Sequence, residues 1–460
     1  MSTKKQAIGY LPDERPPFVE LILFALQQIV VMFPATVLVA LITGFHVSTT
    51  IFASGLATLC FILITGRKIP LYYGSSFSYI SAITSIMGAE QFAALGLNEK
   101  ISIAQFGIVM SGLVSIAAGL IIQRTGRKTI DKVLPPTVTG SIAIIIGLSL
   151  AANAMGDAIA IPEATADSQT FLATNMAWII SIVTLVSTIA YSVYLKGKLS
   201  QLPILFGLFT GYICAAIIGA ITGIPFITFD TVKSTSIFNA PIFTFPKPSW
   251  AAVAAIMPIA IATIPESTAH VYQLDIYVND LAKKKGGKKY NIADKLGLNL
   301  IGDGIGDIVS GAIGGPAGTN YGENISTMAI SKVFSIPVLI TASIITMVIS
   351  CFTPLINVVY SIPKSVIGGL SIYLFGVIAA QGITIMMDRK VDMFKSKNLA
   401  VIAIIMIVGL GGTYQFDNGM IPFFGMEFPA LATAAVVGIL ANLILSIGDK
   451  TDTTDTESLE

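Results

Sequence analysis

Charge is what this sequence has least of. Asp, Glu, Lys and Arg make up 12% of its 460 residues, against about 25% in a soluble domain. That shortage excludes an ordinary water-soluble globule. The signs nearly balance, 27 basic residues against 26 acidic, so no broad field exists to draw in nucleic acid. Histidine occurs only as His46 and His270, and there is no H-E-x-x-H zinc motif. Cys60, Cys214 and Cys351 lie scattered in apolar segments without metal-ligand spacing and read as small packing hydrophobes. No nucleophile–base pair has supporting context. The expectation is no catalytic residue, no metal, no cofactor and no enzyme activity. The opening MSTKKQAIGYLPDERPP is polar, so no cleavable signal peptide is expected.

What the chain has instead is apolar length. It is 54% hydrophobic, and a spanning helix needs about 20 mostly apolar residues. Clear candidates are 20–43, 48–65, 101–123, 136–153, 174–195, 201–222, 250–272, 334–355, 366–387, 398–412 and 429–447. Segments 72–88, 292–313 and 318–332 are shorter or interrupted. The pattern predicts an all-α polytopic membrane protein with 14 transmembrane segments and both termini on one side. With the N-terminus inside, only Lys100, Lys233, Lys247 and Lys364 of the 27 Lys and Arg fall outside. The positive-inside rule calls for that asymmetry, and it predicts cytoplasmic termini in a plasma-membrane protein. The run KKKGGKK then reads as a topology-setting loop rather than a nucleic-acid patch.

Fourteen divides into seven and seven. Seven is odd, so the second copy enters from the opposite face, which is the inverted-repeat plan of many secondary transporters. Span 3 then corresponds to span 10. IPLYYGSSFSYISA (69–82) and GGPAGTNYGENISTMA (314–329) both open with Pro and Gly, continue with a polar cluster and end in a short helical stretch. Irregular backbone at membrane depth must line a cavity or be buried in protein. The N-terminus of a half-helix presents free N–H donors and partial positive charge. These paired broken segments predict the transport site.

Ionisable residues at bilayer depth are costly and default to function. Glu266 follows Pro265 in IATIPESTAHVYQLD, and His270 lies one turn on, on the same helix face. A carboxylate and an imidazole so placed can share a proton, as a proton-coupled carrier requires. Glu323 follows Gly322 in the broken span 10. A carboxylate accepts two hydrogen bonds side by side, so it matches a ligand with N–H donors. Asp303 and Asp307 in IGDGIGDIVSG share a face, with capping, a hinge or substrate contact all open. Asp275 is expected near the cytoplasmic boundary and solvated, and His46 on an outer loop. Phe77, Tyr79 and Tyr321 are the aromatics beside the site. Phe77 sits in the broken segment, where it could stack on a planar base.

At this point the residues resemble a known family. LQQIVVMFPATVLV, KIPLYYGSSFSYIS, PESTAH, TNYGENISTMAIS and SIPKSVIGGLSIYLFGVIAAQGI are similar to the nucleobase/ascorbate transporters, nucleobase–cation symporter type 2. YGEN after a Gly-rich turn resembles the uracil branch. The resemblance runs from about Arg15 to Leu445. It implies a core domain at 20–135 and 249–357 (spans 1–4 and 8–11) and a gate domain at 136–248 and 358–447 (spans 5–7 and 12–14). Residues 1–19 would be a cytoplasmic arm and 448–460 a cytoplasmic tail. The core would move against the gate in an elevator-like step, in a homodimer within the lipid bilayer. The implied activity is uracil import with a proton. A purine carrier of the xanthine type and a sulfate-permease-type anion transporter are the alternatives.

Carried over by residue, the resemblance assigns substrate binding to Glu266, Glu323, Phe77, Gly322 and Tyr321. It assigns proton coupling to His270 with Glu266, and supporting roles to Gln28, Ser76, Asn324 and Asp303. Three departures stand out. Gln27-Gln28 replaces the usual Gln-His, Pro34 replaces Gly, and PESTAH replaces AEHxGH.

Overall fold

The computed structural model of the chain describes residues 9–126, 132–163, 165, 167–197, 199, 202–229, 236–423 and 426–447. The tail 448–460 and the first eight residues lie outside them. So do Lys4, Lys5, Arg127, Lys128, Lys198, Lys233 and Lys450, which entered the charge argument.

The apolar segments fold as helices. Among the described residues, ten helices are long and apolar enough to cross a membrane. Shorter apolar helices follow at Phe77–Gly88, Ile336–Ile349 and Ala430–Leu445, and the 318–332 segment carries the helix Gly322–Ser331. Each expected segment therefore holds helix, but several differ in detail. The 136–153 segment breaks into Pro136–Ser149 and Ala151–Ala158. The 250–272 segment continues to Lys284. The 398–412 segment contains a π-turn at Ile407–Gly411, and a hairpin of strands Met420–Phe423 and Met426–Pro429 precedes the last helix.

Packing relates the first half of the chain to the second. Helix Leu97–Thr125 packs on Leu296–Ile313, while Ile336–Ile349 packs on Val47–Ile64. Pro136–Ser149 packs on Lys364–Asp388, and within the first half Thr170–Tyr194 packs on Pro203–Thr222. Small residues let the backbones approach, as in membrane helix pairs. A Cβ on Gly119 would fall 2.6 Å from the Gly297 carbonyl oxygen, and one on Gly297 2.7 Å from that of Gly119. In the second pair, a Cβ on Gly55 would lie 2.6 Å from the Ser343 carbonyl oxygen.

At the centre the two broken segments cross. Strand β1 (Tyr73–Ser75) pairs antiparallel with β2 (Gly318–Asn320), in the register Tyr73↔Asn320, Gly74↔Thr319 and Ser75↔Gly318. Each strand leads into a short helix, Phe77–Gly88 after β1 and Gly322–Ser331 after β2. The polar Gly-rich sequence explains the breaks. The strands satisfy each other's backbone groups where no helix can.

Candidate functional site

The half-buried side chains around the crossing are few. Phe77, Glu266, His270 and Glu323 retain some exposure, as does Gly322, while Ser76, Ser78, Ser267, Tyr321 and Asn324 around them are buried. Glu266 lies on the helix Ile259–Lys284, one residue after Pro265 within that helix. Its Oε2 accepts a hydrogen bond from the Ser78 hydroxyl at 3.3 Å, which joins the helix to the first turn of the span-3 half-helix. Ser78 was not singled out in the sequence, although it stands next to Phe77. Phe77 meets Phe375 edge to face, with ring centroids 5.9 Å apart. Phe375 comes from Lys364–Asp388, a helix whose sequence gave no sign of reaching the site.

His270 points at the other half-helix. A Cβ on Gly322 would lie 3.0 Å from His270 Nε2, so the glycine leaves room for the imidazole. His270 Nδ1 is buried and makes no hydrogen bond. Glu323 sits in the first turn of Gly322–Ser331, whose N-cap Tyr321 supplies no side-chain cap. That end of the helix carries N–H groups without intrahelical partners.

The supporting residues fall into separate contacts. Asn324 Nδ2 donates to Gln28 Oε1 at 2.8 Å and to the Gln28 carbonyl at 3.0 Å, tying span 10 to helix Phe18–Thr43. Ser76 accepts from the Ser78 backbone N–H at 3.3 Å. The Tyr321 hydroxyl bonds to a backbone carbonyl and to Thr36 rather than to a carboxylate. It donates to the Ser75 carbonyl at 3.0 Å and shares a hydrogen bond with Thr36 at 2.9 Å, so its side chain anchors the strand crossing.

One open reading closes and one expectation is corrected. Asp303 and Asp307 do not cap a helix, since both lie inside Leu296–Ile313 and are buried. Asp303 accepts from Ser267 at 2.6 Å, Asn299 at 3.0 Å and Asn320 at 2.6 Å. Asp275 is not simply solvated. Its Oδ1 accepts the backbone N–H groups of Ile292 and Ala293 at 2.5 and 3.1 Å, capping the start of the next helix. His46 pairs with Asn98 at 2.6 Å.

Chemically, the site offers two carboxylates, one imidazole, an uncapped helix N-terminus and an aromatic ring. No Lys or Arg side chain hydrogen-bonds to these groups among the described residues.

Comparison with known proteins adds a lineage. The model of the Permease family (Xan_ur_permease) matches residues 19–418. A protein from Bacillus caldolyticus named uracil permease is 34% identical over 94% of this chain and 94% of its own. One of the same name from Bacillus subtilis is 33% identical over 97% and 96%, and one from Escherichia coli K12 33% identical over 96% and 95%. Among solved structures, SLC26A9 matches with TM-score 0.63 at 13% identity. The match covers 93% of this chain, which spans 65% of the SLC26A9 chain. The transmembrane domain of the cyanobacterial bicarbonate transporter BicA matches with TM-score 0.58 at 14% identity, over 94% and 99%. At these identities the structures share the fold.

Proposed function

The chain belongs to the Xan_ur_permease family, and from that premise we propose that it imports uracil together with a proton. As a permease it is a transporter rather than an enzyme, and a multi-pass membrane protein. The observation that carries the substrate is the whole-length match to relatives named uracil permease. The site's chemistry supports it. Uracil is a neutral planar ring with two N–H donors and two carbonyls. Glu266 and Glu323 receive the donors. The N–H groups at Gly322 and its neighbours receive a carbonyl, with the Tyr321 backbone beside them. Phe77 covers the ring face. His270, one turn from Glu266, shares the coupling proton with it, while Gln28, Asn324, Ser76 and Asp303 hold these groups in place.

The core then crosses loaded and protonated. An unloaded, charged core pays desolvation to cross, and this couples the two movements. The exchanged packing of the halves and the strand crossing support fourteen spans in a 7+7 inverted repeat. The same packing supports a core of 20–135 and 249–357 moving against a gate of 136–248 and 358–447 in an elevator-like step. The Phe77–Phe375 contact then lies between core and gate. We place the protein in the plasma membrane as a homodimer with cytoplasmic termini. The anion transporters share its fold, but two carboxylates facing the site would repel an anion.

The test is uptake of labelled uracil into proteoliposomes, with and without an inward proton gradient and with unlabelled xanthine as competitor. Gradient-driven uptake that xanthine leaves unblocked is the expected result. No uracil uptake, or strong block by xanthine, would overturn the substrate assignment.

A further inference from the structure

One buried carboxylate has no part in the scheme above. Asp307 is 2% exposed and makes no ion pair among the described residues. Its Oδ1 accepts two hydrogen bonds, from the Tyr73 hydroxyl at 2.5 Å and from the Gly318 backbone N–H at 2.8 Å. Tyr73 opens β1 and Gly318 opens β2. A single oxygen on helix Leu296–Ile313 therefore holds both strands of the crossing.

The surroundings are built around that contact. The Tyr73 ring lies between two glycines. A Cβ on Gly306 would fall 2.5 Å from its Cε2, and one on Gly318 would overlap the ring. The Tyr73 backbone is held as well. Its carbonyl accepts from Ser54 at 2.8 Å and Thr58 at 3.0 Å, and its N–H donates to Thr58 at 3.0 Å. Strands of three residues make a weak ladder by themselves. A slip of one residue would shift the chain by about 3.3 Å and turn each side chain to the opposite face. It would also displace the starts of both half-helices, with Phe77, Gly322 and Glu323.

We infer that Asp307 is a positioning residue, whose Oδ1 fixes the register of β1 against β2 and so the placement of both half-helix N-termini for substrate. The work requires an acceptor and not a charge, and an Asn Oδ1 can accept the same two bonds. The transport consequence rests on the uracil reading, but the register itself does not.

The experiment compares Asp307→Ala, Asp307→Asn and Tyr73→Phe in the full chain in lipid. It reads KM and maximal rate for uracil, dependence on the proton gradient, and hydrogen exchange of 69–80 and 314–331. Asp307→Ala should raise KM about tenfold, the size of one or two orphaned donors, and speed exchange in both segments. Asp307→Asn should restore both, and Tyr73→Phe should fall between them. Unchanged exchange and KM in Asp307→Ala would overturn the inference. So would an Asp307→Asn protein as impaired as Asp307→Ala that no longer responds to the gradient, since a charge would then be required. Should Asp307→Ala fail to fold, wild-type exchange in Tyr73→Phe would overturn it equally. If the wild type takes up no uracil, the substrate reading fails alone, and exchange still decides the register.

Discussion

The two broken segments cross as partners but start their helices differently. After β1, Ser76 caps the first turn by accepting the Ser78 N–H, and Ser78 in turn donates to Glu266. After β2, Tyr321 caps nothing with its side chain and sends its hydroxyl to Thr36 and the Ser75 carbonyl. At one N-terminus the N-cap side chain takes up an N–H of the first turn, and at the other it takes up none. An open N-terminus is the one suited to bind a ligand's carbonyl, and Glu323 stands in its first turn. The capped one instead braces a carboxylate from another helix. On the proposed reading the open end offers its N–H groups to a carbonyl, while the other end carries Phe77 and braces Glu266.

The largest expected effect tests that division at the carboxylates. Glu266→Gln should cut uptake by about 100-fold or more, the scale for losing one partner of a buried charged hydrogen bond. Ser78→Ala, which removes only the brace, should cost about tenfold or less. If Ser78→Ala costs as much as Glu266→Gln, the Ser78 hydroxyl is itself a substrate contact rather than a brace and the contrast collapses.

Glycine substitutions come next, and they separate packing from recognition. A Cβ on Gly74 would overlap the Tyr321 ring, and one on Gly318 the Tyr73 ring and the Gly74 carbonyl. Overpacking of this kind costs about 1–3 kcal/mol. Gly74→Ala and Gly318→Ala should therefore lower the melting temperature in detergent. At Gly322 the added carbon meets only the end of the His270 ring, at 3.0 Å. Gly322→Ala should spare the melting temperature and raise KM. A large stability loss at Gly322 would mean that this end, too, is structural.

The two broken segments, though not the contrast between them, were legible in the sequence. The apolar lengths gave the helices, and the Pro-Gly breaks at 69–82 and 314–329 marked the crossing. The spacing of Glu266 and His270 placed them on one face. What escaped was long-range. Three-residue strands carry too little periodicity to announce their pairing. The sequence left the Tyr321 ring only as an aromatic beside the site, because its partner Thr36 lies 285 residues away. For Asp307 capping, a hinge and substrate contact all stayed open, because Tyr73 is 234 residues distant. Asp275 looked solvated for the same reason, since the N–H groups it caps belong to the next helix. Sequence spacing identifies neighbours on one helix, and these contacts all join different elements.

The smallest expected effect concerns the far ends of the half-helices. Phe77–Gly88 ends at Ala89, which is extended and leads into the short 3-10 turn Glu90–Phe92. Gly322–Ser331 ends at Lys332 in the left-handed region, where the N-terminal arm holds it. Tyr10 N–H donates to the Lys332 carbonyl and Phe334 N–H to that of Tyr10, both at 2.8 Å. Glu14 pairs with Lys285 at 2.6 Å, and Asp13 accepts from the Tyr290 hydroxyl. That hydrogen bond holds the Asp13 carboxyl below its ordinary value of 3.8. A depressed carboxyl contributes stability above 3.8 and loses it as pH falls through the lower folded value. Asp13 is largely solvated, so its contribution should lie within about 1 kcal/mol. Hydrogen exchange at 332–336 should be faster in Asp13→Asn than in wild type at pH 6, and the two should converge as pH drops below 3.8. Exchange at 86–90 should not distinguish the two proteins at either pH. No gap at pH 6 would mean that the arm is held by its backbone bridge and the Glu14–Lys285 pair, with no share for Asp13, and a gap that persists in acid would mean that residue 13 acts through a contact that needs no charge.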